Sequence, residues 1–207
     1  MKTLITAGGT REPVDAVRYL GNRSSGRMGV AIAAAAVEAG HEVTLIAGSV
    51  SVALPKNVEA VRVETTRQMH DAVLERWPTF DALVMAAAVA DFRPKVVSDQ
   101  KLRRGARMTL ELEPTEDILA AAGACKRADQ TLVGFSLDDD TPEARGRARE
   151  KLVRKNCDLL VYNPIATLDA HEVAATIFRH DGSSVDVPSS DKAAFAQRLI
   201  EEVMSYR

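Results

Sequence analysis

Short apolar runs of strand character alternate along this chain with longer amphipathic runs of helix character, and few architectures satisfy that alternation. Residues 4–7, 42–47 and 82–87 read as strands, and residues 28–39 and 69–76 as helices. Strands separated by helical crossovers form parallel sheets covered by helices. The pattern continues with a strand over 131–135, a helix over 142–155 and a strand over 159–162. The expected fold is therefore α/β, a doubly wound, mostly parallel, Rossmann-like sheet. Two further runs, 173–179 and 184–187, flank His180-Asp181-Gly182, and Asp-Gly is a strong hairpin signal. A terminal helix over 191–206 follows. With 207 residues, 46% of them hydrophobic, the chain can bury one sizeable core, so a single domain over 1–207 is expected.

Charge narrows the partners. Acidic and basic residues nearly cancel, for a formal net charge of -2, so no broad field draws the chain to nucleic acid or to a membrane surface. An anionic ligand must be held locally. The two cysteines, Cys125 and Cys157, have no partner at metal-ligand or redox spacing and read as reduced thiols. The first apolar run gives way to Gly8-Gly9 before reaching signal-peptide length, and no run approaches a membrane span. A soluble, cytoplasmic protein is expected.

One segment departs from the alternation. Residues 92–112 carry Arg93, Lys95, Lys101, Arg103, Arg104 and Arg107 among short apolar stretches. Long excursions in compact domains tend to be lids or binding loops, and a solvated basic loop is the plain alternative.

The loop between the first strand and the first helix has two small-residue stations, Gly8-Gly9 and Ser24-Ser25-Gly26. Glycine lets backbone approach a ligand, and Ser24 or Ser25 is expected to cap the helix. A helix start of this kind holds anions through its free N–H groups and its dipole. Gly29, one turn in, would let the helix pack closely on the sheet. A tight turn explains the same glycines without a ligand. Neither a Rossmann glycine fingerprint nor a P-loop lysine is present, and the second strand ends in Ala47-Gly48-Ser49 with no acidic ribose clamp. Phosphates fit better than a dinucleotide.

The run from Thr6 through Gly8-Gly9-Thr10-Arg11-Glu12-Pro13 to Tyr19, leading into Asn22-Arg23-Ser24-Ser25-Gly26-Arg27-Met28-Gly29, closely resembles the opening of phosphopantothenoylcysteine synthetases. So do Met85-Ala86-Ala87-Ala88-Val89-Ala90-Asp91-Phe92-Arg93-Pro94, Gln100-Lys101-Leu102, Gly134-Phe135 and, more weakly, Lys151 to Leu159. The resemblance implies a ligase of coenzyme A biosynthesis. Such an enzyme activates 4'-phosphopantothenate with CTP or ATP, accompanied by Mg2+, to an acyl nucleotidylate and pyrophosphate, then joins it to cysteine. In many bacteria this ligase follows a flavin-dependent decarboxylase; a stand-alone form is expected here, with no flavin and a separate decarboxylase downstream. A homodimer is implied, with the flap reaching toward the neighbouring site and the 173–187 hairpin as a candidate pairing edge.

By the same resemblance Asn22 holds the acyl intermediate through its carbonyl, a task suited to an amide that does not titrate. Lys101 rides the flap and neutralises charge on the transferring phosphorus; Arg103 and Arg104 stand where many members have lysine. Gly8, Ser24, Gly26 and Gly29 correspond to phosphate contacts. Met85, Ala86, Ala87, Ala88 and Asp91 lie at the carboxyl end of the central strand, where open α/β sheets bind ligands, with Ala87 and Ala88 also facing the pantothenate. Phe135 flanks the base, and Lys151, Lys155 and Asn163 contact the nucleotide. A packed phenylalanine and a solvated helix face are the plain alternatives for Phe135 and the two lysines. No histidine reads as catalytic: His41, His70, His171 and His180 are scattered at surface or strand-end positions.

Departures from the family pattern fall around the base. Ser136-Leu137-Asp138-Asp139-Asp140 follows Gly134-Phe135, and of the usual Asn-Pro-Asp-Ile only Asp117 and Ile118 persist in Thr115-Glu116-Asp117-Ile118. CTP and ATP both stay open. Two rivals remain: a nicotinamide-dependent reductase, against which stand the missing acidic clamp and Tyr-x-x-x-Lys pair, and a nucleotide-binding paralogue without turnover.

Overall fold

The computed structural model describes residues 1–105, 107–167 and 172–206. Lys2–Ala7 is β1; Arg11–Pro13 and Tyr19–Gly21 are β2 and β3; Arg27–Glu38 is α1. There follow β4 (Glu42–Ala47), β5 (Glu59–Arg62), α2 (Thr66–Arg76), β6 (Ala82–Met85), β7 (Phe92–Pro94), β8 (Leu112–Pro114) and α3 (Ile118–Ala124). The last third holds β9 (Thr131–Asp138), α4 (Pro142–Arg154), β10 (Leu159–Pro164), β11 (Glu172–Arg179), β12 (Ser184–Asp191) and α5 (Lys192–Ser205).

Eight strands form one sheet in the order β12-β11-β10-β9-β6-β1-β4-β5. The six from β10 to β5 are parallel, and β11 and β12 are added antiparallel as the hairpin that Asp181-Gly182 predicts. Side chains alternate between faces, so adjacent residues of β1 serve different cores. Ile5 packs with Ile32, Ala36, Phe195 and Leu199 under α1 and α5. Leu4 packs with Ile46, Met69, Trp77 and Leu160 on the side of α2 and α4. The buried Trp77 indole N–H donates to the Ala122 carbonyl (3.1 Å), tying α3 to this face.

Two excursions escape the strand–helix pattern. The loop after β1 contains the β2–β3 hairpin, and residues 92–105 and 107–114 belong to an arm whose base is the antiparallel β7–β8 pair. Arg93, which the plain alternative of a solvated basic loop would leave free, is fixed at that base by Glu113 (2.9 Å) and Glu116 (3.0 Å). Lys95 likewise pairs with Glu111 (2.8 Å). Among the described residues no helix is long and apolar enough to cross a membrane.

The strand order reverses its direction of growth between β1 and β6. In open α/β sheets the crevice outside the carboxyl ends at such a point is where ligands bind.

Candidate active site

A cleft of about 890 Å3 opens at that switch point, lined by the start of α1, the turn after β6, the start of α3 and the ends of β9 and β10.

The entrance to α1 has a different cap from the serine expected. Gly26 is the N-cap, at φ 76, and no side chain caps the helix. Ser24 lies in the approach loop, with Oγ 3.4 Å from the Gly26 N–H, and the Ser25 carbonyl is held by Ser51. The chain arriving from β3 turns through a left-handed conformation that a side-chain-bearing residue adopts only with strain. A Cβ on Gly26 would also lie 2.5 Å from Val50 Cγ1 and 3.2 Å from Gly8 Cα. Gly8 therefore supports the helix start from behind and is not part of the cleft lining. The first helical bond runs from Val30 N–H to Gly26 O (3.1 Å). The N–H groups of Arg27, Met28 and Gly29 precede it, on residues that line the cleft. Gly29 packs as its residue type suggests: an added Cβ would come 2.6 Å from Ala7 Cβ, so α1 lies directly on β1.

The floor is the turn after β6, and threonine hydroxyls hold it. The Ala87 N–H donates to Thr6 Oγ1 (3.1 Å) and the Ala90 N–H to Thr10 Oγ1 (2.8 Å). Thr10 Oγ1 in turn meets Thr66 Oγ1 at 3.1 Å, and the Ala88 N–H donates to Gly8 O (2.8 Å). Asn22 reaches over from the end of the hairpin and donates Nδ2 to the Val89 carbonyl (2.8 Å). That bond fixes the amide plane. One Nδ2 proton and the Oδ1 remain for a ligand.

The far wall is cationic. Lys151 Nζ donates to the Phe135 carbonyl (2.8 Å), and burial pushes its pKa down from the usual lysine range. Lys155, the residue capping α4, forms an ion pair with Asp117. Asp117 also accepts from the Ala120 N–H (3.0 Å) as the N-cap of α3. Burial raises the Asp117 pKa, but the Lys155 ammonium and that N–H outweigh it and leave the carboxyl below its ordinary value. The solvated-face alternative for the two lysines thus gives way to a partly buried pair turned into the cleft. Asn163 Nδ2 donates to Thr167 Oγ1 (3.1 Å) at the end of β10.

Of the residues singled out in the sequence, Asn22, Ser24, Gly26, Gly29, Met85, Ala86, Ala87, Ala88 and Asp91 share this cleft with Asp117, Ile118, Phe135, Lys151, Lys155 and Asn163. Lys101 does not line it; it projects from the exposed arm. Sequence reading overlooked Arg154 and Lys192, which also line the cleft. Arg154 sits three residues beyond Lys151 on one helix face, a spacing that signals a shared side. Lys192 follows the Asp191 cap of α5, and nothing local marks it.

Among the described residues no cluster of three His, Cys, Asp or Glu can hold a metal ion. A magnesium ion that travels on a triphosphate needs only one or two protein carboxylates. Asp91 lines the cleft and fits that need. His41, just before β4, is buried and bonded to Thr3 Oγ1 (2.9 Å), and His180, just after β11, meets the Cys157 carbonyl (3.0 Å), both at strand ends. His171 lies outside the described residues, and no other histidine lines the cleft.

The family model for the DNA/pantothenate metabolism flavoprotein C-terminal domain matches residues 1–206. The coenzyme A biosynthesis bifunctional protein CoaBC of Mycobacterium tuberculosis (strain ATCC 25618 / H37Rv) is 41% identical over 220 aligned positions, covering 99% of this chain and 52% of that protein. That of Bacillus subtilis (strain 168) is 41% identical over 206 positions, covering 97% and 50%. The chain thus spans about half the length of these curated relatives. A crystal structure of the C-terminal domain of a CoaBC protein superposes with a TM-score of 0.85 at 36% identity, covering 99% of this chain and 94% of that one. A Cab2 mutant in complex with phosphopantothenate-cysteine shares the fold, with a TM-score of 0.78 at 17% identity over 98% of this chain and 85% of that one.

Proposed function

The chain belongs to the family of DNA/pantothenate metabolism flavoprotein C-terminal domains, and from that premise we propose that it is a phosphopantothenate-cysteine ligase. The observation that carries the proposal is an uncapped helix start facing a cationic wall across a rigid floor at the sheet's switch point, a layout suited to a nucleoside triphosphate.

In this reading the triphosphate lies with its phosphates at the N–H groups of Arg27 to Gly29 and its base toward Phe135. Lys151 and Lys155 offset charge along it, and Asp91 would hold a Mg2+ ion, which would supply further charge neutralisation to the triphosphate. A 4'-phosphopantothenate carboxylate oxygen forms a bond to the α-phosphorus as the bond to the β-phosphate oxygen breaks and pyrophosphate leaves. Lys101, brought in by the arm, neutralises charge developing at that phosphorus. Asn22, its amide fixed by Val89, then presents its remaining N–H to the acyl carbonyl. Cysteine's amine attacks that carbon, the carbon–oxygen bond breaks, and nucleoside monophosphate and a proton depart. CTP and ATP are both candidates, because the residues that depart from the family pattern surround the base. A homodimer, a cytoplasmic setting and a separate decarboxylase consuming the product belong to the same reading.

The test is pyrophosphate release by the purified chain. It should require phosphopantothenate, Mg2+ and CTP or ATP together, and amide product should appear only with cysteine. Nucleotide binding without pyrophosphate release would favour a paralogue without turnover, and binding of NAD(P) in place of CTP or ATP would favour a reductase.

A further inference from the structure

The tip of the β2–β3 hairpin grips the arm. Asp15 lies in that turn with its side chain shut off from water, at 0% exposure. Its Oδ1 accepts from the N–H groups of Val17 and Arg18, each at 2.8 Å. Its Oδ2 accepts from both Arg18 Nε (2.9 Å) and Arg18 Nη2, and from the distant Leu102 N–H (3.0 Å). The same Nη2 donates to the Leu102 carbonyl (2.9 Å). Four residues earlier on the arm, the Ser98 N–H donates to the Val14 carbonyl (3.2 Å).

Both backbone polar groups of Leu102, the residue after Lys101, are therefore held by one buried carboxylate and its arginine. The surrounding stretch, 99–105, has no helix or strand of its own and is largely exposed; before Lys101 the backbone of Gln100 is tied only within the arm, to Ser98 Oγ (2.8 and 3.3 Å), so the bonds at Leu102 are the ones that tie a neighbour of Lys101 to the hairpin. The hairpin that makes this contact continues through β3 to Asn22. The four steps from Arg18 to Asn22 span about 13 Å of extended chain.

We propose that Asp15 and Arg18 are positioning residues, a catch that fixes the backbone from which Lys101 projects. The proposal rests on the ligase reading and on the role of Lys101 within it. Positioning groups of this kind govern rate because small displacements of a reacting group cost orders of magnitude.

Asp15→Asn keeps the shape of the side chain and removes its charge; Arg18→Ala, at a half-exposed residue, is the companion should the first fold poorly. Each is compared with the parent chain, Lys101→Ala and the corresponding double variant. Three quantities are measured: amide hydrogen exchange at Leu102, single-turnover formation of the acyl nucleotidylate, and KM for the nucleotide. We expect at least tenfold faster exchange at Leu102 and at least tenfold slower intermediate formation, with KM within about twofold. In the Lys101→Ala background the same substitution should add less than twofold. A purely structural role would raise KM and slow the Lys101→Ala background equally. Unchanged exchange at Leu102, or full multiplicative loss in the double variant, overturns the catch. A parent chain that forms no intermediate overturns the ligase reading instead, and exchange at Leu102 then decides alone whether the catch exists.

Discussion

Replacing Gly26 by alanine tests how the helix start that lines the cleft is built. At φ 76, an alanine adopts the left-handed region at a cost of about 1–2 kcal/mol. Its Cβ would also sit 2.5 Å from Val50 Cγ1, and overpacking of that kind costs about 1–3 kcal/mol. The single variant should lose roughly 2–5 kcal/mol. Val50→Ala alone removes two half-buried methyl groups, about 0.8 kcal/mol at roughly 0.8 kcal/mol per fully buried group. Combined, the two substitutions leave the dihedral cost and relieve the collision, so the double variant should recover about 1–3 kcal/mol relative to the sum of the singles. Urea unfolding followed by far-ultraviolet circular dichroism measures all four stabilities, with slopes compared to verify a common unfolding transition. Additivity within about 0.5 kcal/mol, or a Gly26→Ala cost below about 1 kcal/mol, would refute the reasoning and place the cap elsewhere.

Asn22→Asp sets a carboxylate oxygen against the Val89 carbonyl that now accepts from Nδ2. Amide formation with cysteine should fall by about 10^2 in single-turnover assays while pyrophosphate release survives better; equal loss of both steps would remove the assigned role. Burial pushes the Cys157 thiol up to about 12, whereas Cys125 is exposed. Iodoacetamide at pH 8 should therefore label Cys125 alone in the native chain and both cysteines in urea, as read by mass spectrometry. The Arg18 guanidinium, opposed by burial and joined by nearby N–H groups, holds the Asp15 carboxyl well below the usual range. Its contribution is complete above the ordinary aspartate pKa of about 3.9 and is lost as pH falls toward the lower folded value. The urea midpoint should hold from pH 7 to 5 and decline below about 4, with a smaller decline in Asp15→Asn.

The sheet was legible because its information is local and periodic. Ile5 and Leu4 must face opposite cores, and Asp181-Gly182 can hardly be anything but a turn. The carboxyl ends of β1 and β6 follow from that pattern, and with them most of the cleft. What escaped depends on contacts distant in sequence. The cap of α1 falls on Gly26 rather than on a serine because Val50 and Gly8 leave room for no side chain there. Arg93 reads as a free cation until Glu113 and Glu116, twenty and more residues away, are folded against it. Lys192 enters the cleft only because α5 begins beside the site after an antiparallel excursion. The Asp15-x-x-Arg18 turn is locally readable as an ion pair, but nothing in its spacing announces Leu102. The wall of the cleft beside α4 and β9 is the least legible part, since it consists of side-chain reach and follows no repeat.

The hydroxyl ties beneath the cleft give its two sides unequal freedom to change. Thr6 and Thr10 bind the backbone of the Ala86–Ala90 turn, so the floor's contour is written in peptide geometry and is indifferent to which side chains stand opposite. The wall is written in side chains: Phe135, Leu137, Lys151 and Lys155. A lineage can redraw that wall one residue at a time and alter what the cleft admits there, while the floor beneath stays as it was.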